Sequence, residues 1–355
     1  MSKIFKHPNY SGPRAELEKA LAATELGRFI FVVGPSGVGK TTVRRSIIRK
    51  LYGQPEKWAA GTIPYIEVFA MLPQNAYFSS LGFAESLLQQ LFVPNVAWMR
   101  DSADPQHHAY MALKAEVQRA HSELCGVPLP KLSERKVWDK FQSLSASRGV
   151  LLAAVDQAHA MCTNHRDKNP ADHILNLMSI LEQCEMNFLL SGVHRTAELW
   201  LDRPEVRRRS DVIWMPPYRL DRAKDREPFL EVLKSLSEGY SFSKSSLLMS
   251  MVDDLMAASA GIIGVLKKIL ADAKKRAELG GRHAITKSDI SNSYYGDADY
   301  KKMWGDVKFF QEIMKSADTK AMATKAASGW RLTERPKKNH QEGATTSGEA
   351  GNREG

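Results

Sequence analysis

Cysteine is scarce in this chain: three of 355 residues, Cys125, Cys162 and Cys184, an odd number with no CxxC pair. That excludes a disulfide framework and leaves reduced, buried thiols as the expectation. One trio, His159, Cys162 and His165, has metal-like spacing, but no fourth ligand of matching type stands nearby, so it reads as an ordinary loop. Long apolar runs are missing too. The two longest, at 29–33 and 150–155, fall far short of the roughly 18 to 20 residues that a membrane span requires. The first residues, Met1 to Pro8, carry charge without a following apolar stretch or a small-residue cleavage site. No secretory signal is expected there, and the expectation is a cytoplasmic protein with no membrane partner.

What is present suffices for a substantial core. Hydrophobic residues make up 43% and charged residues 25% of the chain, the globular average, so wholesale disorder is excluded. Its 355 residues exceed one typical compact core, which favours a large domain with an appendage, or two domains. Fifty Lys and Arg against forty Asp and Glu leave a net charge of +10, a balance that favours polyanionic partners such as nucleic acid or acidic lipid.

Along the chain, a short run rich in β-branched and aromatic residues at 28–33 ends abruptly at Gly34-Pro35 and reads as a buried strand entering a turn. Residues 41–51 follow as a helix with Val43, Ile47, Ile48 and Leu51 at helical spacing. A second strand over 62–69, a helix carrying Leu81, Ala84, Leu87, Leu88 and Leu91, and a short helix over 137–144 come next. Residues 150–155 form the most apolar run, suited to a strand buried on both faces. A helix over 174–184 and strands at 186–190 and 211–215 bring the strand count to five, an α/β alternation. Beyond Tyr218 the pattern is helical: 227–237, 245–258, 262–279, 287–294 and 304–315. The expected organisation is a core at 1–217 with an insertion at 94–130, a helical lid at 218–300, a helical extension at 301–330 and a disordered tail at 331–355.

Gly34-Pro35-Ser36-Gly37-Val38-Gly39-Lys40-Thr41 fits G-x-x-x-x-G-K-[ST], a match that chance gives about one chain of this length in a hundred. It lies between a predicted strand and a predicted helix, where backbone N–H groups and the helix dipole can cradle phosphates. Lys40 is expected on the β and γ phosphates of ATP, the Thr41 hydroxyl on Mg2+, and Thr42 beside them. The strand ending at Val155 delivers Asp156 as the second Mg2+ group. The next residue is Gln157, where hydrolytic P-loop enzymes of this kind place a glutamate; a glutamine can position water but cannot accept its proton. Slow hydrolysis, ATP as a structural switch, or a substitution made to trap the ATP state would all read this way. Ser191, after its strand, reads either as a sensor of the γ-phosphate or as a cap. Arg203, Arg207, Arg208 and Arg209 form either a solvated basic face or a source of an arginine finger for a neighbouring subunit.

The chain resembles AAA+ ATPases, and more narrowly the ATP-dependent transposition regulators of the TniB/TnsC group, relatives of the phage Mu target-selection ATPase. Four features, within a similarity that runs from His7 to Ile290, carry the resemblance: the loop Gly34 to Thr41, Val155-Asp156-Gln157-Ala158-His159 in place of a D-E-A-H box, Leu189-Leu190-Ser191-Gly192, and Gly261-Ile262-Ile263-Gly264 followed by 284–290. It implies a P-loop core with a mostly parallel five-stranded sheet and a small all-α lid. It also implies Ser191 as sensor one, Arg208 as the finger with Arg207 and Arg209 as neighbours, and Lys131, Ser133 and Lys136 as contacts to DNA phosphates. For Ser133 a plain helix N-cap is the alternative. Two departures stand out: Gln157, and Val265 where the family has a phosphate-contacting arginine, with Lys267 and Lys268 expected to face solvent. A second loop near Gln74 and Asn75 lacks the lysine of the family.

The function implied is a bacterial, mobile-element ATPase that forms a ring or helical filament on double-stranded DNA of any sequence. It would connect a target-selection protein of the TniQ type to a transposase. A helicase loader or remodeller with brisk turnover, and a non-hydrolysing nucleotide switch with protein partners only, are the alternatives.

Overall fold

Five short β-strands, four of them almost wholly buried and the last one half-buried, form the centre of the computed structural model, which describes residues 8–23, 25–70, 77–99, 133–163, 169, 171–201 and 203–316. They are β1 (Phe29–Val33), β2 (Tyr65–Phe69), β3 (Leu152–Asp156), β4 (Asn187–Gly192) and β5 (Ser210–Trp214). Their order in the sheet is β2-β3-β4-β1-β5, and every neighbouring pair is parallel. All five expected strands are present.

Parallel strands need crossovers, and helices on both faces supply them. Strand alternation divides the core in two. Phe29, Phe31, Ile66, Val68, Ala153, Val155, Phe188 and Leu190 face one layer, whose helices include α3 (Ser80–Gln90), α4 (Glu134–Arg148) and α5 (Ala171–Cys184). Ile30, Val32, Tyr65, Leu152, Ala154 and Leu189 face the other, covered by α1 (Pro8–Ala22) and α2 (Lys40–Tyr52). A short helix, α6 (Pro204–Arg208), leads into β5.

From Tyr218 the chain is helical: α7 (Ala223–Ser237), α8 (Leu247–Ser250), α9 (Val252–Ala258), α10 (Ile263–Leu279), α11 (Lys287–Ser291) and α12 (Asp297–Ser316). Its apolar side chains, among them Phe229, Leu233, Leu255, Leu266, Leu270 and Ile290, make a cluster of their own. The 284–290 segment is a capped helix start: the Thr286 side chain and Asp289 form a reciprocal capping box, and Arg282 pairs with Asp289 at 2.6 Å. The described elements belong to one compact unit that ends at Lys315, apart from Ser316.

Several boundaries differ from the sequence expectation. Helix α1 was not signalled, since Pro13 inside it and its weak apolar periodicity conceal it. Helix α4 begins at Glu134 and runs to Arg148, where Gly149 caps it. The expected 245–258 helix is interrupted at Met251, which has φ −111° and ψ 16°. The last helix begins at Asp297, and Tyr300 Oη, in its first turns, donates to Ala257 O at 3.1 Å. A lone parallel bridge, Phe242 to Ile285, breaks the otherwise helical region. Residues 100–132 and 317–355 lie outside the described residues, and with them most of the expected insertion and the expected tail, as do Gln74, Asn75, Cys125 and His165.

Gly261 shows why this fold needs its glycine-rich joint. It has φ +68°, and a Cβ built on it would lie 1.9 Å from Tyr218 O, because Tyr218 N donates to Gly261 O at 3.0 Å. Gly261→Ala is therefore expected to destabilise the chain by about 2 to 5 kcal/mol, from left-handed strain plus overpacking. Gly281→Ala, at φ +69° with nothing within 4 Å of the added carbon, should cost only about 1 to 2 kcal/mol. Chemical denaturation of both variants measures the difference, and equal costs would refute the packing account.

Candidate nucleotide-binding site

The loop 34–39 leaves the carboxyl end of β1 and turns directly into α2 at Lys40, so the sheet edge and the helix N-terminus converge on one spot. Lys40 Nζ donates to Gly34 O at 2.7 Å and Pro35 O at 2.9 Å, which holds the ammonium across the loop. Burial draws the pKa of that ammonium down to about 8, against the opposing pull of Asp156. The loop borders an open cleft of about 880 Å³, within the range of small-molecule sites. Ser36, Gly37, Val38, Gly39, Thr41 and Thr42 line it with Lys40. Gly34 and Pro35 lie behind them, as the carbonyl partners of Lys40.

Asp156 ends β3 rather than following it, and its carboxylate is the hub of the site. Oδ2 accepts from Thr41 Oγ1 at 3.2 Å and from Arg44 Nη2 at 3.1 Å. Oδ1 accepts from Gln157 N at 2.9 Å and from Ser191 Oγ at 3.0 Å. Burial works to raise the Asp156 pKa, but the Arg44 guanidinium, followed by the three other donors, outweighs it and holds the carboxyl below its ordinary value. The expected pair Thr41 and Asp156 is thus brought together. Both groups offer hard oxygen atoms, the donor chemistry that Mg2+ prefers.

Gln157 sits at φ 56° and ψ 36°, a left-handed conformation uncommon outside glycine, and its exposed side chain lines the cleft. His159 lines it as well, with its pKa lowered by burial and by the nearby Lys40. Cys162, from the same short helix, is buried, its thiol donates to Arg195 O at 3.2 Å, and burial with Glu198 pushes its pKa up to about 12.

Ser191 lies within β4, so it is not a cap. Its hydroxyl is fully buried, accepts from Arg44 Nη1 at 3.0 Å and donates to Asp156. The arginines differ in their partners. Arg203 pairs with Asp172 at 3.0 Å, Arg207 Nη1 donates to Ser210 O at 3.1 Å, and Arg209 pairs with Glu182. Arg208 is exposed and has no ion pair among the described residues. These arginines lie at the amino end of β5, whose register with β1 runs from Phe29↔Ser210 to Val33↔Trp214. At about 3.3 Å per residue the strand separates Arg208 by roughly 13 Å from the loop of its own chain.

The helical region touches the loop through backbone. Gly264 N donates to Gly37 O at 2.9 Å, and a Cβ on Gly264 would stand 2.8 Å from Gly37 Cα. Val265, half-buried, packs against the apolar side chains of both the sheet and the helical region. Lys267 is exposed, as expected, and also lines the cleft; Lys268 pairs with Asp272 at 2.8 Å. Ser133 occupies the N-cap position of α4 but makes no side-chain cap bond, and it is exposed, as is Lys136. Lys131 lies outside the described residues.

Sequence reasoning missed Arg44, Glu67 and Tyr65. The buried stripe of α2 is Val43, Arg44, Ile47 and Ile48, whereas Leu51, expected inside, is 37% exposed. A glutamate within the apolar strand Tyr-Ile-Glu-Val-Phe was the available signal, since a buried carboxylate requires a partner.

Removal of the Lys40 ammonium should weaken binding of a fluorescent ATP analogue by about ten- to a hundredfold, the worth of charge-assisted bonds to phosphate. Equilibrium titration of Lys40→Ala against the unaltered chain reads that loss, and unchanged affinity would remove the loop from the site.

Residues 24–200 match the family model of the AAA domain. The Aeropyrum pernix ORC1 protein, solved in complex with DNA, superposes with a TM-score of 0.51 at 13% identity, over 81% of this chain and 65% of that one. This chain therefore spans a little under two thirds of that protein. The Aeropyrum pernix ORC2 protein, with ADPNP and ADP, gives 0.49 at 14% identity, over 82% and 70%. Cdc6p from Pyrobaculum aerophilum gives 0.49 at 15%, over 82% and 68%. No curated protein matches the sequence. With the family match over the loop, Asp156 and Ser191, and with a five-stranded parallel sheet behind them, the chain carries an AAA domain and has the AAA+ fold.

Proposed function

We propose that this chain is an ATP-dependent, DNA-binding AAA+ regulator that assembles on double-stranded DNA and connects target-site selection to a transposase. The observation that carries the nucleotide half is the meeting of Lys40, Thr41 and Asp156 at one end of the parallel sheet. A triphosphate would lie along 34–41, with Lys40 on its β and γ groups and Thr41 and Asp156 holding Mg2+. The ion supplies charge neutralisation of the phosphates when bound. Lys267 adds a cation on the lid side where the family arginine is replaced by Val265. A smaller cleft of about 410 Å³ beside the loop has Pro35, Val265 and Met303 on its wall together with the charged Lys268, Asp299, Lys302 and Asp306.

Assembly is supported by the position of Arg208. It is exposed and lies too far from its own loop to serve it, so as a finger it acts only on another copy. Gln157 presents an amide to the cleft in place of a proton acceptor, which fits a chain that binds ATP and assembles without rapid turnover. DNA is proposed from the net charge of +10, from exposed Ser133 and Lys136, and from the DNA-bound state of the ORC1 protein that shares the fold. The transposase and the TniQ-type partner rest on the family resemblance.

ATP with Mg2+ should produce salt-sensitive assembly on duplex DNA of any sequence, read by sedimentation or electron microscopy, and Lys40→Ala should abolish it. Assembly that proceeds equally without nucleotide would contradict this function. Gln157→Glu should raise the phosphate-release rate at least tenfold, because general-base catalysis contributes about 10² to 10⁴ when fully engaged; an unaltered slow rate would show that this position does not limit turnover.

A further inference from the structure

Arg44 has no part in the phosphate chemistry above, yet it is among the most constrained side chains in the chain. It is fully buried on α2, one turn beyond the loop. Strand alternation explains what it meets. Glu67, Asp156 and Ser191 all point to the α2 face of the sheet, opposite in sense to Val68, Val155 and Leu190. Arg44 Nη1 donates to Ser191 Oγ at 3.0 Å, and Nη2 donates both to Asp156 Oδ2 at 3.1 Å and to Glu67 Oε1. Glu67 is held in turn by Tyr65 Oη at 2.9 Å and by Arg45 Nη2 at 3.2 Å.

An ion pair that served packing alone would satisfy Glu67 and stop there. This guanidinium instead reaches three acceptors on three adjacent strands, two of them at the cleft end of the sheet, a task for a planar fork and not for a point charge. Asp156 Oδ2 receives Arg44 and Thr41 together, so the bond from Arg44 sets where that oxygen stands relative to the Thr41 hydroxyl.

We propose that Arg44 is a positioning residue of the nucleotide site: anchored by Glu67, its guanidinium ties Asp156 and Ser191 to α2 and fixes the carboxylate where Thr41 and Asp156 together receive a divalent cation. The inference rests on the nucleotide reading above and adds to it the group that orients the cation ligand. Outer-sphere partners of metal ligands commonly act in this way.

The test is titration of the full chain with N-methylanthraniloyl-ATP, at a series of Mg2+ concentrations and with the ion chelated. Arg44→Lys, and Arg44→Met combined with Glu67→Gln so that Glu67 is not left charged beside a lost partner, should raise the Mg2+ concentration of half-effect about tenfold or more, with affinity in chelator unchanged. A lowered unfolding midpoint with an unmoved Mg2+ half-point would show a structural ion pair only and overturn the proposal. Should those variants fail to fold, Tyr65→Phe loosens the anchor while leaving the buried charges paired, and it should move the half-point in the same direction; no shift there overturns the proposal too. An unaltered chain that binds the analogue with no response to Mg2+ overturns this inference and leaves the nucleotide reading standing. One that binds no analogue under either condition defeats the nucleotide reading itself.

Discussion

Four donors converge on the Asp156 carboxylate, and the organisation of the site follows from satisfying them. The loop helix contributes Thr41 and Arg44, the neighbouring strand contributes Ser191, and the backbone after β3 contributes Gln157 N. A buried carboxylate without such partners would take up a proton or be expelled to water. With them it remains ionised at the end of a hydrophobic strand, and it cross-links β3, β4 and α2 at the point where the loop begins. The donors come from separate elements, so the hub forms only when the sheet and α2 are docked.

The lid region reaches the same loop by a different physical route. Its contact runs through two glycines, with Gly264 N bonded to Gly37 O and no room for a side chain between them. Gly261 fits as closely against the Tyr218 backbone. The G-I-I-G segment is therefore a joint that lets backbone approach backbone, while Ile262 and Val265 pack apolar surface on either side. Arg208, at the opposite end of the sheet, makes a single copy of the site incomplete under the proposed function.

How much was legible in the sequence depended on whether the signal was local. The five strands, the loop and Asp156 were readable because a continuous apolar run ending in glycine or in aspartate is a short-range pattern. Helix α1 and the extent of α4 were not, since Pro13 interrupts the first and the outer turns of the second, before Val137 and after Leu144, carry few apolar residues. Arg44 and Glu67 escaped for a deeper reason: each alone resembles a surface residue, and their meaning arises only when parallel register brings β2 and β3 beneath α2. Ser191, expected just after its strand, lies within it, because β4 runs two residues further than its apolar stretch and carries the hydroxyl into the interior. The arginine run likewise reads as one group, whereas the fold gives Arg203, Arg207 and Arg209 partners of their own and leaves Arg208 with no ion pair among the described residues.

Under the proposed function the Asp156 hub and the loop form one triphosphate site, completed by a second copy. Electron cryo-microscopy of the chain on duplex DNA, with a slowly hydrolysed ATP analogue and Mg2+, tests it most directly. Triphosphate density along 34–41, an ion between Thr41 and Asp156, and Arg208 of the adjoining copy directed at the terminal phosphate are the expected results. Assembled copies with no density on that loop, or with Arg208 turned away from the neighbour, would contradict it.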